Sequence, residues 1–212
     1  GRAGFEEAGM NPRTVYKQHI KTNLFKYLLM IVIFGLGIAA GEFKSGDLGA
    51  ETRNHLLGLI DQMIQQGIAL TAGEGALLSA AASQIKTAAL MWFLGMTVVG
   101  VPLILGLVFA RAFSLGFTLG FLAEEKGSLG VLMGISSVIP QNLIYVPFLL
   151  TAAVVCVNFS LFLVRGRFYS RAELWQNFVL YTLVMIGITF MLLVGAVVES
   201  YLSPWLLSLV LS

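Results

Sequence analysis

Long apolar runs alternate with short polar stretches along this chain. No charged residue falls within Tyr27 to Gly41, Thr87 to Ala110, Gln141 to Val164 or Leu174 to Val198. A hydrocarbon core of about 30 Å takes roughly 20 residues of helix, so the last three runs are long enough to span and the first becomes so from about Leu24. The pattern predicts an all-α polytopic membrane helix bundle of about five transmembrane helices, with spans near 24–41, 87–109, 105–123, 141–164 and 174–198. A short re-entrant or interfacial segment and an outer amphipathic helix complete the expected architecture, as one membrane domain over 10–212.

The basic residues set the expected orientation. Arg13, Lys17, Lys21 and Lys26 precede the first span, Arg111 follows the second, and Arg165, Arg167 and Arg171 sit between the last two. Lys and Arg of short loops stay on the cytoplasmic side, so these places are expected inside. The outer loop 42–86 and the stretch around Glu124, Glu125 and Lys126 then face outward, with the N-terminus inside and the C-terminus outside. Alternation requires a crossing between Arg111 and Glu124, where 112–123 covers only about 18 Å of helix. Either the second span ends earlier, near the break at Gly100 to Pro102, and the third borrows residues from Leu103 onward, or this crossing is thinned and buried among other helices; the second option suits Arg111 better. Leu129 to Ile139 is apolar but too short to span and is closed by Pro140, so it reads as the re-entrant or interfacial piece. The Leu-rich tail from Leu202 to Leu211 is expected along the outer interface.

Three segments carry more than membrane composition. In the outer loop, Leu56, Ile60, Met63 and Ile64 recur at three- and four-residue steps and form an apolar helical stripe. That stripe rests on the outer leaflet or the bundle, or it docks a partner. Ala112, Gly116 and Gly120 form a small-residue groove, with a weaker version at Gly37 and Gly41. Such grooves let two backbones approach closely, within the bundle or across a homodimer seam. Pro140, Gln141 and Asn142, followed by Pro147, predict a helix break in which the amides satisfy carbonyls the prolines leave free. This break is a helix start capped near Asn142, or a translocation site.

Composition narrows the function classes. With 58% hydrophobic and 11% charged residues the chain is too apolar for a water-soluble domain of this size, and a net charge of +2 does not suggest nucleic acid. Cys156 lies within an apolar run and is expected to be a small packing residue. Met10 followed by Asn-Pro has the look of a native start, so 1–9 are set aside as a non-native leader. No catalytic constellation, cofactor site or metal site emerges. His19 and His55 fall on opposite sides of the expected membrane, and Glu51 with His55 supplies only two ligands. Glu124 and Glu125 point different ways on a helix, and Ser136 and Ser137 lack a nearby base.

The basic N-terminal segment Val15 to Lys21, the Phe34-Gly35-Leu36-Gly37-Ile38 run and Val138-Ile139-Pro140-Gln141-Asn142-Leu143-Ile144 together resemble stage II sporulation protein M of endospore-forming Gram-positive bacteria. Wider relatives tend to carry Pro-His-Gly with a following Glu where this chain has Pro140, Gln141 and Asn142, a departure that points to the sporulation branch. The resemblance implies a non-enzymatic scaffold of the mother-cell septal and engulfing membrane that recruits two peptidoglycan-degrading enzymes, stage II sporulation proteins D and P, during forespore engulfment. It makes the stripe from Leu56 to Ile64 the candidate partner contact. Membrane lipid and a second copy of the chain are the other expected partners, and nucleic acid is not. The alternative reading is a small channel or transporter with its pathway near Pro140.

Overall fold

The computed structural model describes residues 23–65, 74–97, 99–165 and 170–211, and within them it contains helices and no strand. The expectations for the leader 1–9, the basic segment 15–21 and the end of the outer loop fall outside the described residues. Helix α1 spans Leu24–Gly46, α2 Ala50–Gln65 and α3 Glu74–Gly95. A helical run from Gly100 to Arg165 follows, broken only at Gly127, where φ is 56° and ψ −133°. It therefore counts as two helices, α4 over 100–126 and α5 over 128–165. Helix α6 covers Arg171–Val197, a π-helical turn Val198–Leu202 continues it, and α7 covers Ser203–Leu211.

The chain reverses at Gly127. In a straight helix Arg111 and Tyr145 would lie about 50 Å apart, yet the Arg111 guanidinium sits 5.5 Å from the centre of the Tyr145 ring. Gly130 lies against Leu122, and Gly134 against the side chains of Leu119 and Leu122. Gly127 permits the reversal because its dihedrals are the mirror image of ordinary extended backbone, a region that an L side chain strains to enter.

Four helical runs are long and apolar enough to cross a membrane: Leu24–Gly46, Gly75–Gly95, Gly100–Val164 and Arg171–Leu206. The third is the folded hairpin and supplies two passes, so five helical passes are counted among the described residues. Paired contacts give their directions. Gly37 meets Ala112 and Gly120 meets Ser45, so α1 runs parallel to α4. Cys156 contacts Tyr181 and the Tyr145 ring packs on Gly195, so α6 is antiparallel to α5. Successive passes alternate in direction around the central α4–α5 hairpin, against which α1, α3, α6 and α7 all pack.

Several boundaries differ from those the charge pattern predicts. The second pass ends at Gly95 rather than near residue 109, and the third begins at Gly100. A tight turn separates them, with the Thr97 hydroxyl and amide both donating to the Leu94 carbonyl. The backbone comes so close there that a side chain at Gly100 would collide with that carbonyl. At about 40 Å, α4 is a full-length helix, not a thinned crossing, and Arg111 lies inside it rather than in a cytoplasmic loop. Lys86 likewise falls within α3 and is exposed, as a long stem carrying a terminal charge allows.

The stretch 129–139 is neither re-entrant nor irregular. It is helical and continuous with 141–164, and together they make α5 about 57 Å long. The expected break at Pro140 is absent, because the helix passes through both Pro140 and Pro147. Each proline removes one N–H from the helical ladder. Polar side chains supply extra donors around them: Ser136, Ser137, Asn142 and Thr151 each bond the carbonyl four residues back, at 2.6 to 2.8 Å. Asn142 therefore braces the helix interior instead of capping a start.

At the centre of the bundle the Phe159 and Tyr181 rings stack at 4.2 Å, and the Tyr181 hydroxyl donates to the Trp92 carbonyl at 2.8 Å. Cys156 is fully buried between Gly95 and Tyr181.

Candidate functional site

The small-residue groove of α4 is filled by α1. A methyl added at Gly37 would come within 2.6 Å of the Ala112 side chain and 2.7 Å of the Phe109 carbonyl. Gly41 abuts the backbone of Phe113 and Phe117, Gly116 that of Ile38, and Gly120 that of Glu42. The two grooves that the sequence left open to a homodimer thus close on each other within one chain. Phe109, Phe113, Phe117 and Phe121 stack along the adjacent face of α4 at 6.1 to 6.4 Å between rings.

Helix α2 stands at the Gly127 end of the hairpin. Arg53 forms an ion pair with Glu125, whose side chain is largely buried. Leu56 and Ile60 are half-buried and Leu59 is 44% exposed. Among the described residues no other helix packs along α2. Met63 and Ile64 continue its helical backbone, and their side chains lie outside the described set.

One constellation was not anticipated. Four segments that are far apart in sequence bring polar side chains together deep in the bundle. The Tyr145 hydroxyl from α5 donates to Glu199 Oε2 at 2.7 Å, and the buried Gln84 side chain of α3 lies beside the same hydroxyl. Arg111 of α4 lies over the Tyr145 ring in cation–π geometry. Tyr145 is 2% exposed and Gln84 6% exposed. Glu199 lies in the π-helical turn, a rare local form that tends to occur where function constrains a helix. One turn from this cluster, Asn142 Oδ1 and Ser203 Oγ are buried without a hydrogen-bond partner. Gln141, beside Asn142, is half-buried, and Pro147 is exposed.

The sequence carried a partial signal for this cluster. Arg111 and Glu199 flank charge-free runs and were read as loop markers, whereas the fold draws both inward. Intramembrane ionisable groups are costly and face the bundle interior or one another. Among the described residues no group of three or more His, Cys, Asp or Glu is placed to hold a metal ion.

These features define an all-α polytopic membrane protein whose passes alternate around a central helical hairpin and enclose a polar cluster. The profile of the stage II sporulation protein M family matches residues 17–204, most of the chain. The chain belongs to that family and is a sporulation-related membrane protein. No curated protein and no solved structure matches it.

Proposed function

We propose that this protein is a non-enzymatic membrane scaffold that recruits peptidoglycan hydrolases during forespore engulfment, with stage II sporulation proteins D and P as its partners. The observation that carries this reading is α2, an amphipathic helix tethered through Arg53 and Glu125 at one end of the bundle, with no helix of the described residues along its apolar stripe. A surface of this kind suits a wall-facing partner. The excess of Lys and Arg at the opposite end, where Lys26 and Arg171 lie, agrees with that end being cytoplasmic. The N-terminus is then inside and the C-terminus outside, in the septal and engulfing membrane of the mother cell. The test is co-purification of each hydrolase with Leu56→Asp and Ile60→Asp variants whose membrane insertion and unfolding temperature match the parent. Loss of one or both hydrolases is expected. Retention of both would remove α2 as the docking surface.

A second reading, a solute or ion pathway, has one observation in its favour: the Gln84, Arg111, Tyr145 and Glu199 cluster with the unpartnered Asn142 and Ser203 beside it. Flux in proteoliposomes that is lost in Tyr145→Phe and Glu199→Gln would support it. Normal hydrolase recruitment with no flux in either the parent or the variants would leave the cluster structural.

A further inference from the structure

At the end of the bundle opposite Gly127, a cavity of about 520 Å³ opens to the surface between the end of α5, the start of α6 and the turn after α3. Its walls are Met96, Phe159, Leu163, Leu174 and Phe178, with Trp175 and Arg171 at the mouth. The volume falls within the range of small-molecule sites, and the wall is apolar except at one place.

That place is ordered along a single helix face. Arg171, Trp175 and Phe178 stand at steps of four and three residues on α6, so they follow one another down the cleft. Arg171 is exposed and makes no ion pair among the described residues. The nearby Glu173 carboxylate is occupied by its own helix start, where it accepts from the Ser170 amide at 3.0 Å while the Ser170 hydroxyl accepts from the Glu173 amide. Trp175 is 68% exposed and packs at 5.8 Å on Phe178, which in turn packs on Phe159.

The sequence of surfaces is therefore a cation, then an amphipathic indole, then an aromatic and aliphatic floor. A phospholipid presents the complementary order of phosphate, glycerol ester and acyl chain. Arg binds phosphate through a planar fork of donors, and Trp favours the headgroup level of a bilayer. An isolated acyl chain would leave Arg171 unused, and a free phosphate would leave the apolar wall unused.

We infer that this cleft binds one anionic phospholipid, its headgroup on Arg171 and an acyl chain along Phe159, Leu163 and Phe178. The positive-inside rule puts this end at the cytoplasmic leaflet, whose anionic lipids are drawn to a basic residue by about 1 kcal/mol each. That corresponds to roughly a fivefold preference.

The experiment is native mass spectrometry of the full chain in detergent, titrated with phosphatidylglycerol or phosphatidylcholine of the same acyl chains. Phosphatidylglycerol is expected to be retained about fivefold better by the parent, with Arg171→Gln reducing it to the phosphatidylcholine level and Arg171→Lys keeping part of the preference. Leu163→Trp, which fills the cleft, is expected to reduce retention of both lipids, and inorganic phosphate is expected not to compete. Equal retention of the two lipids by the parent would overturn the proposal even if a variant failed to fold. So would full retention by Arg171→Gln or Leu163→Trp, or complete displacement by inorganic phosphate.

Discussion

The Tyr145 hydroxyl donates to Glu199 Oε2 at 2.7 Å, and this bond ties the middle of α5 to the π-helical turn that extends α6. The two residues are 54 positions apart, and the Tyr145 ring packs directly on the backbone of Gly195. Removing the hydroxyl leaves a carboxylate that has lost its donor in a site with little water. Hydrogen bonds between membrane helices contribute about 1 kcal/mol, and bonds to charged groups somewhat more. Tyr145→Phe is therefore expected to cost about 1 to 2 kcal/mol in a detergent unfolding titration. Glu199→Gln keeps an acceptor and should cost less, while Glu199→Leu strands the hydroxyl and should cost at least as much as Tyr145→Phe. An inverted order would show that the bond does not hold the turn.

The α1–α4 seam gives a sharper contrast. Side chains at Gly41 or Gly116 would meet backbone of the facing helix, which cannot rotate away, whereas a side chain at Gly35 meets nothing within 4 Å. Overpacking of a tight core costs about 1 to 3 kcal/mol, and a clash with backbone belongs at the upper end. Gly41→Leu and Gly116→Leu should each lower stability by about 3 kcal/mol, while Gly35→Leu leaves the unfolding midpoint nearly unchanged. Equal effects at all three positions would mean that the seam is looser than the structure has it.

The bundle itself was legible because charge-free runs mark helices apolar enough to cross a membrane, and the fifth pass follows from the alternation of the basic residues. The junction between the second and third passes was legible only as one of two options, an early end near Gly100 to Pro102, and Arg111 weighed toward the other. Gly95, Thr97 and Gly100 make the turn through backbone hydrogen bonds, and no charge marks it, while the nearby Arg111 marks a place where no turn occurs. Arg111 finds an aromatic face supplied by a residue 34 positions away, and local pattern reading has no access to that partner. The prolines misled for a related reason. Pro140 and Pro147 ordinarily break a helix, but here the helix continues through both, packed against the rest of the bundle. Of the candidate sites, the α2 stripe and the glycine grooves were visible as periodicity. The polar cluster was visible only as the two charges, Arg111 and Glu199, that flank charge-free runs, because its four members come from four separate helical segments.

The reversal at Gly127 depends on a backbone conformation with φ at 56° and ψ at −133°. A side chain there meets no neighbouring atom within 4 Å, so any cost of Gly127→Ala is conformational rather than steric crowding by the fold. Strained backbone of this type costs about 1 to 3 kcal/mol. The variant should be destabilised by that amount in unfolding titrations, whereas Gly106→Ala, also with open space around it but helical, should be neutral or slightly stabilising. A neutral Gly127→Ala would argue that the hairpin tip adopts another turn.

The Arg53–Glu125 pair joins α2 to the hairpin tip, with Arg53 side chain 45% and Glu125 side chain 9% exposed. A pair of this kind contributes about 1 kcal/mol and weakens with salt at its exposed partner. Single cysteines at positions 53 and 125 in a Cys156→Ser background should crosslink. Separately, a spin-label distance from α2 to the hairpin should lengthen in Arg53→Glu and return in the Arg53→Glu, Glu125→Arg double variant. Failure of the swap to restore the distance would show that α2 is held by something other than this charge pair.

The last prediction concerns which ends of the helices share a side of the membrane. Lys26 donates to Asn158, and the Ser160 hydroxyl donates to the Thr97 carbonyl at 2.8 Å, so the start of α1, the turn after α3 and the end of α5 lie together. The far end gathers Asp47, Glu124 and Gly127, as the contact of Gly46 with the Glu124 carboxylate requires. Each pass runs from one set to the other, so the two sets lie on opposite faces. In a Cys156→Ser background, cysteines at Asp47 and Lys126 should therefore label from one face with a membrane-impermeant thiol reagent, and cysteines at Val99 and Arg171 from the other. Val99 is the decisive position, because the charge pattern alone buries it inside a span, whereas the fold puts it in the turn between Gly95 and Gly100. Protection of Val99→Cys from both faces, or its labelling together with Asp47→Cys, would contradict the arrangement of α3 and α4 as separate passes.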